Sequence, residues 1–62
     1  MATLSSKELT YIEDQLTMEE NIISKYKMYA SHASDSVIKD KCDCIASKHQ
    51  HHFDTLKSQL MG

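Results

Sequence analysis

Proline is absent from this chain, and its one glycine, Gly62, is the last residue. Without either of these breakers the backbone has few ways to turn tightly. Sheets and tight loops are therefore disfavoured, and helix nearly from end to end is expected. The 62 residues allow a single domain, 1–62. A chain this short buries too little apolar surface to be comfortable alone. Small scaffolds commonly lean on disulfides, a metal or a second subunit.

Met1–Leu4 is a short lead. Ser5-Ser6-Lys7-Glu8 then reads as a capping box, in which a serine hydroxyl and a glutamate three residues on satisfy each other's backbone N–H. The first helix is expected over about 6–32. Leu9, Ile12, Leu16, Glu19, Ile23, Tyr26 and Ala30 follow alternating steps of three and four, a heptad seam with Glu19 as its one charged member. Tyr11, Met18, Ile22 and Tyr29 widen that stripe on one side. The pattern fades before Ser34-Asp35-Ser36, where Ser34 or Asp35 can cap a second helix. The turn is placed at about 33–35 and the second helix at about 36–60, ended by Met61-Gly62. Its stripe is Ile38, Cys42, Ile45, His49, His52, Leu56 and Leu60, widened by Ala46 and Phe53.

A connection of a few residues makes the two helices antiparallel neighbours. Two amphipathic helices cannot cover both sides of their shared stripe. The fold expected is an all-α antiparallel helical hairpin that dimerises into a four-helix bundle, most simply as a symmetric homodimer.

Folding at Ser34 sets residue i of helix one level with about residue 68 minus i, so Glu19 meets His49. At about 100° per residue, His49 and His52 both point within about 50° of the stripe centre, while His51 points away. A carboxylate and two imidazoles in an apolar seam have two readings. They are a hydrogen-bonded polar layer, or a metal site built from Glu19, His49 and His52. A two-fold axis through the middle of the hairpin would gather two copies of each. Such a ligand set suits a transition metal such as Fe, Mn or Zn.

Seven lysines, no arginine, nine acids and a net charge of −2 make no basic footprint, so nucleic acid is not an expected partner. No apolar run approaches the roughly 20 residues that span a bilayer. Met1–Thr10 has no signal-peptide core, and the chain is expected to be intracellular. In that setting Cys42 and Cys44 read as thiols. They stand about 200° apart on a helix and cannot bridge each other. Cys42 is a small buried hydrophobe, and Cys44 lies off the stripe. Tyr26 reads as a core aromatic, Glu20 and His51 as surface residues, and His32 as a cation at the helix C-terminus. No nucleophile–base pair and no phosphate-binding glycine loop appears, so a structural role is expected over catalysis.

At Glu19, Tyr26 seven residues later, and His52 with its run to Leu56 and Leu60, the chain resembles rubrerythrin-type hairpins of the ferritin-like superfamily. The stretches EDQLTMEENIISKYKMYA and CDCIASKHQHHFDTL, with Ala33-Ser34-Asp35 between them, more closely resemble the small spore-coat proteins of the coat F family. That resemblance covers about residues 7–60. It implies a ferritin-like four-helix arrangement, a spore-forming host, a place in the spore coat, and other coat proteins as partners. The ferritin-like metal pattern falls on Glu19 and on His52, the histidine of a Glu-x-x-His pair. Here His49 stands where that glutamate would be. The loss of a bridging carboxylate argues against oxygen-activating di-iron chemistry. The resemblance thus implies a structural or assembly protein with a Glu/His metal site. Its alternative is a ferritin-like metal-binding protein with redox or storage activity.

Overall fold

A computed structural model describes residues 4–61. Residues 1–3 of the lead, and Gly62, read above as part of the helix end, lie outside the described residues. Helix α1 runs Ser6–His32 and helix α2 runs Ser36–Met61, one residue beyond the boundary expected from sequence. The two pack against each other along their length, in a body 47 × 17 × 11 Å. The all-α hairpin expected from the periodicity is the fold observed.

Local chemistry fixes each helix end. Ser5 accepts from the Glu8 backbone N–H, and Ser5 N–H donates to Glu8 Oε1, both at 3.1 Å. The capping box satisfies two donors that helix geometry leaves orphaned. First the Ser5 backbone N–H, then the Ser5 hydroxyl, hold the Glu8 carboxyl below its usual value of 4.5. At the other end Ala33 leaves the helix in extended geometry (φ −71°, ψ 129°), with its N–H on the Tyr29 carbonyl. No left-handed residue is involved, so the chain exits α1 without a glycine. Of the two residues proposed to cap α2, Asp35 does so. Its Oδ1 accepts from Val37 N–H at 2.8 Å and Ile38 N–H at 3.2 Å.

Ile12, Glu19, Ile23, Ala30, Cys42 and Ala46 are buried. Leu16, Tyr26, Ile45, His49, Phe53, Leu56 and Leu60 are half-buried around them. These are stripe residues and their wideners, as the heptad pattern requires. The seam departs from expectation at three positions. Leu9 is 42% exposed and Ile38 is 55% exposed, although both lie on the stripe. The His52 side chain is 58% exposed. The cause is common to all three. Each helix has one neighbour, so the middle of its apolar arc is covered and the rim is left open. Tyr11, Met18 and Tyr29, which widen the stripe, are 63%, 54% and 44% exposed for the same reason.

Candidate metal centre

Glu19 occupies a seam position between Ile12 and Ile23 and is 8% exposed. A carboxylate there is costly unless it is paired. Its partners come from the facing helix. His49 Nδ1 lies 2.6 Å from Oε1, and His52 Nδ1 lies 3.2 Å from Oε2. His49 Nδ1–H donates to Oε1, while His52 lies within ion-pair distance of Oε2 without an aligned hydrogen bond. The rings stand edge to face, with centroids 5.2 Å apart and planes at 83°. No buried side-chain polar atom among the described residues lacks a partner.

The axial register anticipated from the turn is the register observed: Glu19 meets His49, thirty residues away in sequence. The α-helical spacing of three then sets His52 one turn along the same face. The three residues singled out by sequence are brought together, with donor atoms all within 4.8 Å of one another. A tetrahedral zinc ion with bonds near 2.0–2.1 Å holds its donors about 3.3 Å apart. The 3.2 Å separation of Glu19 and His52 fits that spacing. The 2.6 Å bond between Glu19 and His49 would open and lose its proton on loading. Two imidazoles and one carboxylate are a borderline donor set suited to Zn, Fe or Mn, with at least one position left for a further ligand.

The remaining polar candidates stay apart from this cluster. Glu20, His32, His51 and Cys44 are exposed, while Cys42 is buried as a small hydrophobe. Both thiols are free. Tyr26 is half-buried, and its ring meets Tyr29 edge to face at 5.6 Å. One feature escaped the sequence reading. Lys25 Nζ lies 5.8 Å from the Tyr26 ring and 6.0 Å from the Tyr29 ring. The four-residue step from Lys25 to Tyr29 is the signal that could have revealed it.

No known protein family, curated protein or solved structure matches the chain. No helix among the described residues is long and apolar enough to cross a membrane.

Proposed function

We propose that this chain is a structural assembly protein, of the kind its likeness to the coat F family suggests. Its hairpins pair into a four-helix bundle, and Glu19, His49 and His52 hold a transition-metal ion. One observation carries the metal reading. A carboxylate 8% exposed in an apolar seam engages the ring nitrogens of two histidines at once. A single histidine would satisfy a structural carboxylate. The second, with its side chain 58% exposed, adds no burial and makes sense as a ligand. The apolar residues left uncovered by one hairpin support the pairing.

In this role the ion is a clamp between the helices. Loading replaces the His49 Nδ1–H donation with a metal bond, or uses the other ring nitrogens while Glu19 stays beside the rings. Either way the ligand imidazoles must be free of a proton at the bonding atom, so binding weakens as pH is lowered. The test is the metal content and native mass of untagged protein purified without chelator. Bound metal that is lost in Glu19→Ala and His52→Ala supports the reading. Protein that purifies metal-free and takes up no zinc, iron or manganese refutes it.

A further inference from the structure

Glu19, His49 and His52 supply three donors, and no fourth Asp, Glu, His or Cys joins them among the described residues. A zinc ion with three protein ligands keeps its fourth position for water or another molecule. Side-chain exposure gives the direction of that position. Glu19 is closed in at 8%, whereas the side chains of His49 and His52 are 28% and 58% exposed. An ion held here meets solvent on the side to which His52 turns.

Helix geometry tells what else stands on that side. Glu20 and Gln50 line one groove together, so they mark one edge of the helix–helix seam. On α2, His52 turns from His49 by about 60° in the sense opposite to Gln50. Ile45 turns from His49 by about 40° in the same sense as His52. On α1, Gln15 and Ile22 turn from Glu19 by about 40° and 60° in the sense opposite to Glu20. All four therefore lie along the second edge. Facing residues sum to about 68, as Glu19 and His49 do. Gln15 is thus nearly level with His52, on the open-end side of Glu19. Ile22 is nearly level with Ile45, on the turn side.

Gln15, Ile22 and Ile45 are half-buried. Gln15 Nε2 donates to Met18 Sδ at 3.8 Å. A thioether is a weak acceptor, which an anionic oxygen would displace. Charge narrows the ligand further. A divalent ion on one carboxylate keeps one positive charge, which a monoanion neutralises. Lys25 turns to the same edge, and its Nζ beside the Tyr26 and Tyr29 rings adds a cation there. A carboxylate meets each of these features. One oxygen reaches the ion, the other accepts from the Gln15 N–H, and a short alkyl chain rests on Ile22 and Ile45.

We infer that the metal centre is the binding site of a short-chain carboxylate anion, with Gln15 as the residue that orients it. This rests on the metal reading above and adds to it the missing ligand, its chemical class and the side chain that selects it.

Cobalt(II) is the probe metal, because its visible bands report a change of ligand. Untagged full-length protein is loaded with cobalt and titrated with butyrate, with formate, and with chloride at matched ionic strength. The variants are Gln15→Leu at the site and Gln50→Leu on the opposite edge, each checked for helicity by circular dichroism. Butyrate should shift the bands saturably, and chloride should not. Butyrate should bind about tenfold more tightly than formate, because its chain is buried. Gln15→Leu should keep its cobalt affinity and lose about tenfold in butyrate affinity, the effect of removing a hydrogen bond to a charged group. Gln50→Leu should behave as wild type. Cobalt that binds, with bands that ignore butyrate, overturns the inference and leaves the metal reading standing. Equal butyrate affinity in wild type and Gln15→Leu overturns the role of Gln15. Equal affinity for formate and butyrate overturns the apolar contact with Ile22 and Ile45. Absence of cobalt uptake removes the metal reading itself, and this inference with it.

Discussion

Glu19→Leu separates a ligand set from a polar layer more sharply than any other change. Position 19 belongs to the apolar seam, flanked by Ile12 and Ile23, and is 8% exposed. A leucine there stabilises by roughly 1.5–3 kcal/mol through burial. Against this stands a charge-assisted hydrogen bond to His49, worth about 1.5–3 kcal/mol. His49 keeps 28% of its side chain exposed and can turn to water, so it is not left stranded. The two effects nearly cancel, and replacing buried charges by apolar groups is commonly neutral or stabilising. The metal-free variant should therefore melt within about 1.5 kcal/mol of wild type. Zinc at a hundred times its dissociation constant, by contrast, stabilises a binding protein by about 2.7 kcal/mol. At 4–8 °C per kcal/mol for a domain of this size, wild type should gain about 11–22 °C. Glu19→Leu should gain almost nothing. The assay is thermal unfolding followed at 222 nm by circular dichroism, with and without zinc. An equal upward shift in both proteins would place the zinc elsewhere and sink the ligand assignment.

Other consequences are more local. Ile23→Ala removes a buried side chain from the seam and should cost about 2–5 kcal/mol in unfolding experiments with urea; a loss below about 1 kcal/mol would mean the seam is not the core. Ser5→Ala should cost about 1 kcal/mol by removing the N-cap acceptor. The Glu8 carboxyl lies below its usual value of 4.5 because Ser5 donates to it. Its contribution is thus present above that value and fades as pH falls through the lower, folded value; Glu8→Gln should flatten this acid limb, and an unchanged limb would contradict the assignment. A thiol reagent should modify exposed Cys44 rapidly and buried Cys42 slowly. Equal rates would show that α2 does not pack as described.

The fold was legible because its two determinants are local. Steps of three and four from Ile12 to Ala30 name the inner face of α1. The Ser5 and Asp35 side chains mark where each helix begins. The register followed from the short turn, and the Glu19–His49 contact at 2.6 Å depends on nothing else. Exposure at the edges of the stripe was less legible. Periodicity gives direction on a helix but not how wide a neighbour is, so Leu9, Ile38 and His52 read as interior. The single facing helix leaves their surface uncovered. The Lys25 position over Tyr26 and Tyr29 was missed because a lysine off the stripe looks like any other solvated charge.

The antiparallel register also sets an order of assembly. Facing residues sum to about 68, so their separation along the chain grows steadily from the turn towards the open ends. Closure can begin beside Ala33 and Asp35, where loops are short and cheap to form, and proceed like a zipper. The Glu19–His49 contact, thirty residues apart, is reached halfway. Beyond it lie Leu9, Leu56 and Leu60, the last to join and the first to fray. Amide exchange should be slowest between the turn and the cluster and fastest at the open ends. An ion bound at mid-height would act as a stop on the zipper, holding closed the half that is otherwise free to peel apart.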